Sequence, residues 1–198
     1  MKPISFGTDG WRAVIARDFT FERVGAVAQA YGEYLASQQA GRPVLVSYDA
    51  RFLSEQFAAL TAKMLSEAGL EVLLSAAPAI TPAASYFVAS KRLAGAAVIT
   101  ASHNPSPYNG FKIKTPEGAS APTAITDQVR DGANRRLGEG RAPEEFDILS
   151  VPPAKQVDLC EPYLKRLAEL ADMELIGGAN LKIVVDNMHA AGAGYLDE

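Results

Sequence analysis

The sequence is poor in the side chains that build disulfides and zinc sites. Its 198 residues include one cysteine, Cys160, and two histidines, His103 and His189. A lone thiol excludes an intrachain disulfide and a cysteine cluster that could hold zinc. No apolar run reaches the roughly 18 residues of a membrane span, and residues 1–12 lack a charged leader with an apolar stretch behind it. We therefore expect a soluble, cytoplasmic protein.

The sequence also has no excess of positive charge. The sequence has 19 Lys and Arg against 23 Asp and Glu, a net charge of -4. This balance argues against a general electrostatic attraction to nucleic acid or to an anionic membrane. Residues 72–116 differ, because they contain Lys91, Arg92, Lys112 and Lys114 and no acid. Such a segment is compatible with a small anionic substrate, although sparse charges usually form a solvated surface.

Short apolar runs alternate with amphipathic segments along most of the chain. Helical spacing predicts helices over 21–39, 54–69, 81–91, 125–137 and 159–171, and apolar or alternating runs predict strands over 43–48, 70–74, 94–100, 111–114 and 181–186. We expect Thr20 to be the N-cap of the first helix and Thr81 that of the third. Strands separated by helices favour parallel pairing with helices on both faces. We predict an α/β fold, a three-layer α/β/α sandwich around a mostly parallel mixed sheet.

The organisation changes near residue 153. Residues 138–153 are rich in Gly, Pro and Glu, which is typical of a linker between domains. We therefore predict one domain over 1–153 and the beginning of a second α/β domain over 154–198. About 45 residues bury too little surface to form a core of their own, so we expect this second domain to be incomplete.

A polar loop, 100–105, directly follows the apolar residues 94–99 of a predicted strand. Ligands of α/β proteins bind beyond the carboxyl ends of strands, so this loop is a candidate site. It offers the hydroxyl of Ser102, the imidazole of His103 and the amide of Asn104 in succession. The competing interpretation is that Ser102 is a turn or capping residue, which is the commoner role of serine in loops.

The strand after this loop carries two lysines on one face. Alternation places Lys112 and Lys114 opposite Phe111 and Ile113, with Asn109-Gly110 as a turn signal in front. Two ammonium groups beside a hydroxyl could bind phosphate. A half-buried strand with solvated lysines would give the same pattern.

The segment 6–12 combines two glycines, an acid, the only tryptophan and an arginine. The planar guanidinium of Arg12 suits an oxyanion, because it donates two parallel hydrogen bonds. The alternative is a structural turn with a surface arginine. Trp11 fits a packing role better than a binding role.

Other signals are weak. Gly192 and Gly194 lack the third glycine of a dinucleotide-binding loop, so we predict no nicotinamide site. Ser102 has no Gly-x-Ser-x-Gly surroundings, which leaves a serine hydrolase poorly supported. We interpret His189 as a packed turn residue.

Together the segments 6–12, 100–105 and 108–114 resemble the active-site loops of the phosphohexomutases of the phosphoglucomutase/phosphomannomutase type, in the order usual for that family. Residues 181–195 resemble the start of its second domain. The two segments that carry the serine and the lysines, 100–105 and 108–114, are specific as a pair.

The resemblance implies that phosphorylated Ser102 donates its phosphoryl group to a sugar monophosphate. A hexose 1,6-bisphosphate would then reorient and return its other phosphate to Ser102. It further implies that His103 and Asn104 orient this group, that Arg12 and Lys112 bind the transferring phosphoryl group or assist proton movement, and that Mg²⁺ contacts Ser102 through its phosphate.

This sequence departs from the family's pattern in two ways. Residues 186–192 read Asp-Asn-Met-His-Ala-Ala-Gly where the family usually has Asp-Pro-Met-His-Gly-Ala-Gly. The metal-binding, sugar-specificity and phosphate-binding loops of the later domains would lie beyond residue 198, so we expect a fragment that is inactive alone and needs the C-terminal domains of the same polypeptide. Two alternatives stay open: a non-catalytic sugar-phosphate binding or regulatory domain, and a hydrolase using Ser102 with His103.

Overall fold

A computed structural model describes residues 2–38, 41–141, 147, 154–195 and 197. The described strands are β1 Trp11–Val14, β2 Val44–Tyr48, β3 Val72–Ser75, β4 Gly95–Ile99, β5 Tyr108–Lys114 and β6 Lys155–Val157. The described helices are α1 Phe21–Gln38, α2 Ser54–Glu67, α3 Thr81–Lys91, α4 Thr123–Gly138, α5 Cys160–Leu170 and α6 Met173–Gly178.

The described strands form a single six-stranded sheet in the order β1-β5-β4-β2-β3-β6. The pairs β2/β4, β2/β3 and β3/β6 are parallel, whereas β5 is antiparallel to both of its neighbours, β1 and β4. All the described strands except β5 therefore run in one direction. This is the mostly parallel mixed sheet that the sequence predicts.

Helices cover both faces of the sheet. Helices α1, α2 and α4 pack on one face over a large apolar core, and α3 and α5 lie on the other over a smaller one. The central strands β2 and β4 are buried along their whole length, as expected for parallel strands covered on both sides. The three-layer α/β/α fold class is thus confirmed.

Two helix starts follow the local sequence closely. The hydroxyl of Thr20 accepts a hydrogen bond from the Arg23 N–H at 3.4 Å, as expected of the residue before the first turn of α1. Helix α3 differs from its prediction by one position. Its N-cap is Ile80, and Thr81 and Pro82 are its first helical residues. Proline suits this first turn because its missing N–H would have no partner there.

The predicted turn at Asn109-Gly110 is wrong. Both residues lie inside β5, where Asn109 pairs with Ala13 and Gly110 with Arg12 of β1. The local turn preference loses because β1 and β4 offer hydrogen-bonding partners on both sides of β5. The Asn109 side chain is buried and donates to Ser54 Oγ at 2.9 Å.

The predicted strand 181–186 is also wrong, since these residues pair with none of the described strands. Ile183 is 70% and Val184 94% exposed. An apolar run becomes a strand only when a neighbouring strand satisfies its backbone groups, and this segment has no such neighbour among the described residues. The predicted domain boundary near 153 lies outside the described residues. The residues after it, β6 and α5, extend the first sheet and the smaller core.

None of the described helices has the length and apolar character needed to cross a membrane.

Strand β5 depends on glycine at position 110. A Cβ there would lie 2.5 Å from the Thr100 carbonyl oxygen and 2.9 Å from that of Trp11, both backbone atoms. We expect Gly110→Ala to lower the free energy of unfolding by about 2–3 kcal/mol, as overpacking does in other tightly packed positions. Urea denaturation would measure this.

The matched control is Gly138→Ala at the end of α4, where an added Cβ has open space. It should leave stability unchanged or slightly raised. Equal effects of the two substitutions would contradict this account of β5.

Candidate active site

Ser102 lies in the loop between β4 and β5, at the carboxyl end of the central strand β4. Its backbone is left-handed, with φ 56°, and its N–H donates to Thr100 Oγ1 at 3.0 Å. Serine adopts this conformation at a cost, so the surrounding contacts must enforce it. Ser102 and His103 are both exposed, and the loop therefore presents a hydroxyl and an imidazole to solvent.

The guanidinium of Arg51 forms hydrogen bonds with the backbone of this loop. Its Nη2 donates to the carbonyl oxygens of Ser102 at 2.8 Å and Asn104 at 2.6 Å. Its Nη1 donates to those of Pro105 at 3.0 Å and Tyr108 at 3.1 Å. One side chain thus fixes four carbonyl groups of the loop, which explains how the strained backbone at Ser102 is maintained.

Asp49 in turn orients Arg51. Asp49 Oδ2 lies 3.3 Å from Arg51 Nε, and Oδ1 accepts from the Arg51 N–H at 3.0 Å and from Ser54 Oγ at 2.7 Å. The carboxylate therefore neutralises the guanidinium and fixes its direction. Asp49 and Arg51 follow β2, the neighbour of β4, so the two loops meet at the same edge of the sheet.

Lys112 and Lys114 lie on one face of β5, with Phe111 and Ile113 in the large core on the other, as predicted. The alternative of solvated lysines is wrong, because Lys112 is 4% and Lys114 7% exposed. Lys112 Nζ forms an ion pair of 2.6 Å with Asp9 Oδ2. Lys112 also faces the cleft into which Ser102 opens.

Asp9 reaches Lys112 because Gly10 lets the segment before β1 lie directly on β5. Gly10 has φ 108°, and a Cβ on it would lie 2.7 Å from the Phe111 carbonyl oxygen and 2.9 Å from Lys112 Cγ. The backbone approach therefore requires glycine. The ring of Trp11 beside it packs against that of Phe19, with 4.8 Å between their centroids, which confirms the predicted packing role.

Arg12 and Asn104 contact one another in this structure. Arg12 Nη1 donates to Asn104 Oδ1 at 2.8 Å, and Nη2 lies 3.7 Å from Asp9 Oδ2. Arg12 and His103 line a smaller hollow of about 390 Å³, whereas Ser102, Asn104 and Lys112 line the larger cleft. The predicted residues thus surround one loop but face two hollows on its sides.

The larger cleft measures about 870 Å³ and has two further walls. One is the N-cap and start of α3, residues 80–82, and the other is the turn 188–192. His189 belongs to this second wall. It is exposed and has φ 55°, so the prediction of a turn residue is confirmed and that of a packed one is wrong.

Tyr195 attaches the wall 188–192 to the rest of the molecule. Its ring is buried in the smaller core, 6.0 Å from that of Tyr163. Cys160 Sγ adds a contact of 3.1 Å to the Gly194 carbonyl oxygen. Burial raises the pKa of Tyr195 to about 12, so its phenol stays neutral at physiological pH. This wall is therefore anchored by the buried ring of Tyr195 and by the Cys160 contact.

The described residues do not by themselves form a metal centre. Within them, no three of the His, Cys, Asp and Glu side chains come close enough together to hold an ion. Asp49 borders the cleft, but its oxygens already accept from Arg51 and Ser54. Mg²⁺ prefers several oxygen ligands, so a phosphate on Ser102 would meet only part of that requirement.

Comparisons with known proteins identify the family of this chain. The sequence profile described as "Phosphoglucomutase/phosphomannomutase, alpha/beta/alpha domain I" matches residues 3–137. The chain belongs to this family. A phosphoglucosamine mutase from Natranaerobius thermophilus is 33% identical over 96% of this chain, and a phosphoglucomutase from Komagataeibacter xylinus is 29% identical over 97%.

A solved structure places the fold in the same family. A candidate phosphomannomutase from Thermus thermophilus superposes with a TM-score of 0.75 over 89% of this chain, at 36% identity. The chain covers 38% of that structure, and 40% and 37% of the two curated relatives. It therefore spans well under half of the length of these phosphomutases.

Sequence reasoning missed two residues of this candidate site, Arg51 and Asp9. The rule that selected the Ser102 loop applies to Arg51 as well, since Asp49-Ala-Arg51 directly follows the buried strand β2. Asp9 stood out only as an acid near Arg12. Its contact with Lys112 spans 103 positions of sequence, and no local pattern signals such a pair.

Arg51 provides a direct test of the loop's support. We expect Arg51→Lys to lower the free energy of unfolding by about 2 kcal/mol, because an ammonium cannot donate to four carbonyls from a planar fork. Amide hydrogen exchange within 102–108 should accelerate, and this is the measurement that isolates the loop.

Arg17→Lys is the matched control, since the Arg17 side chain is exposed and pairs with the adjacent Asp18. It should change neither quantity. Unchanged exchange in the Ser102 loop of Arg51→Lys would show that the four hydrogen bonds do not hold it.

Proposed function

We propose that Ser102 carries a phosphoryl group that the enzyme exchanges with a sugar phosphate. In this reaction phosphorylated Ser102 converts a hexose monophosphate into a hexose 1,6-bisphosphate and recovers a phosphoryl group from its other position. The overall activity is that of an intramolecular phosphotransferase, which interconverts hexose 1-phosphate and hexose 6-phosphate.

The observation that carries the proposal is the presentation of Ser102. Its hydroxyl is exposed on a strained loop that Arg51 fixes through four carbonyls, and it opens into a cleft of about 870 Å³. A structural serine needs no such support, whereas a group that must meet a substrate repeatedly in one geometry benefits from it.

Lys112 and Arg12, on the two sides of the Ser102 loop, suit the chemistry of the transfer. When a bisphosphate donates to Ser102, the bond between phosphorus and the sugar oxygen breaks and a bond to Oγ forms. The serine proton must leave, and the sugar oxygen must gain one. We assign Lys112, at the cleft, and Arg12, across the loop, to binding the transferring group or assisting this proton movement. His103 and Asn104 would orient it.

Mg²⁺ is part of the proposal as a cation on the phosphate of Ser102, where it would neutralise charge during transfer. Because the described residues supply no set of carboxylate ligands for it, its other ligands would come from elsewhere in the enzyme or from water. We likewise propose that residues beyond those of this chain, in the part that only the longer relatives span, select the sugar and complete turnover.

Formation of phosphoserine tests the proposal on this chain. The protein is incubated with MgCl₂ and either glucose 1,6-bisphosphate or acetyl phosphate as the phosphoryl donor. Mass spectrometry then identifies the residue that has been phosphorylated, that is, labelled. We expect phosphate on Ser102, stable over the assay, and no net mutase turnover by this chain alone.

Two variants make the test specific. Ser102→Ala should take no label, whereas Ser106→Ala, four residues along the same loop, should be labelled like the wild type. A folded wild type that neither donor labels would refute the carrier role and favour a non-catalytic sugar-phosphate binding domain. Steady loss of donor to water at Ser102 would instead favour a hydrolase.

A further inference from the structure

A continuous series of hydrogen bonds connects Lys114 to Lys112 through Ser120 and Asp9. Lys114 Nζ donates to Ser120 Oγ at 3.1 Å, and Ser120 Oγ donates to Asp9 Oδ1 at 2.8 Å. The other oxygen, Asp9 Oδ2, accepts from Lys112 Nζ at 2.6 Å. The carboxylate of Asp9 is therefore held at both oxygens, on one side by the lysine that faces the cleft and on the other by a serine and a second lysine.

Lys114, the first donor in this series of hydrogen bonds, is an unexpected residue at a buried position. It is 7% exposed, and burial lowers its pKa, although the charge of Asp9 opposes that effect and the charge of Lys112 adds to it. A buried ammonium is costly even when it is partly paired. An apolar residue would pack in the same place without that cost, so the packing of β5 does not explain a lysine here.

Three positively charged side chains act on Asp9. Lys112 and Lys114 reach it from β5, Arg12 lies 3.7 Å away on β1, and His103 of the Ser102 loop lines the same hollow. Burial would raise the pKa of Asp9, but hydrogen bonds from Lys112 and Ser120 and the charges of Lys112 and Lys114 outweigh it and lower that pKa. Ser120 and Lys114 thus both favour the ionised carboxylate.

We propose that Ser120 and Lys114 are positioning residues that hold the Asp9 carboxylate on Lys112 and so fix the Lys112 side chain at the cleft that Ser102 also lines. Neither residue lines the cleft, and both act through Asp9. The inference rests on the proposed function in its last step, because it is phosphoryl transfer at Ser102 that a fixed ammonium would serve.

The sign of the expected effect follows from the contacts. Ser120→Ala removes a hydrogen bond to Asp9, and Lys114→Met removes a nearby positive charge. Each change takes away a contribution that lowers the pKa of Asp9, so Asp9 should protonate at higher pH in both variants than in the wild type. Both variants should fold, since Ser120 is exposed and methionine fills the volume of a buried lysine stem without its charge.

The first measurement is a pH titration of the Asp9 carboxyl group. The ¹³C chemical shift of its side-chain carboxyl carbon is recorded by NMR on the whole 198-residue chain. Ser120→Ala and Lys114→Met should each move the midpoint upward. Ser90→Ala and Lys91→Met on α3 are the control variants, because neither residue contributes to the shift in the pKa of Asp9, and they should leave the midpoint in place. An unchanged midpoint in both test variants would overturn the proposal.

The second measurement is the rate of Ser102 phosphorylation by acetyl phosphate as a function of pH. We expect each test variant to be about fivefold slower than the wild type, comparable to the loss of one hydrogen bond. The fall in rate at low pH should begin at higher pH than in the wild type, because Asp9 protonates earlier. The control variants should match the wild type in rate and profile.

The two measurements separate the claims. A shifted Asp9 titration with wild-type labelling rates and pH profile would overturn the positioning role. Absence of label on wild-type Ser102 would count against the proposed function, while the Asp9 titration, which needs no phosphoryl transfer, would still decide whether Ser120 and Lys114 act on Asp9.

Discussion

The guanidinium of Arg51, surrounded by four backbone carbonyls, is the contact on which the geometry of the Ser102 loop depends. A loop that exposes Ser102 and His103 buries little apolar surface, so its backbone must be held by hydrogen bonds rather than by packing. Carbonyl oxygens gathered on one side of a turn repel one another unless a cation lies between them. A planar fork with several N–H donors meets this need in a way that a single ammonium cannot.

The sheet topology makes this contact available. Arg51 follows β2, the Ser102 loop follows β4, and the register pairs Tyr48 with Ile99, so both strands end at the same level. That register depends in turn on the apolar side chains that bury both strands on both faces. A change deep in the parallel core would therefore displace Arg51 relative to the loop, and the site would lose its order without any loss of its own residues.

Much of this architecture is predictable from the sequence because it is encoded locally. The helical period of α1 and the buried run of β2 predict those elements to within a residue or two, and the strand-end rule selects the loop of Ser102. The wrong predictions share a cause, which is that both depend on residues distant in sequence. Distant residues decide whether the run 181–186 pairs with another strand, and they also decide what covers Lys112. The cover of Lys112 is Asp9, about a hundred positions away, which approaches because β1 lies beside β5 in the folded sheet.

The net charge of the residues in and behind this site suits a phosphoryl group on Ser102. Arg12, Arg51, Lys112 and Lys114 bring four positive charges, and Asp9 and Asp49 bring two negative ones, which leaves a surplus of two positive charges among these residues. Asp49 is paired with Arg51, so these two charges cancel. The surplus therefore lies on Arg12, Lys112 and Lys114, whose only carboxylate among these residues is Asp9. A phosphate ester on serine carries about -1.5 to -2 at neutral pH. Phosphorylation of Ser102 would therefore roughly cancel the unbalanced charge of this site, which supports a carrier role for this serine over a purely structural one.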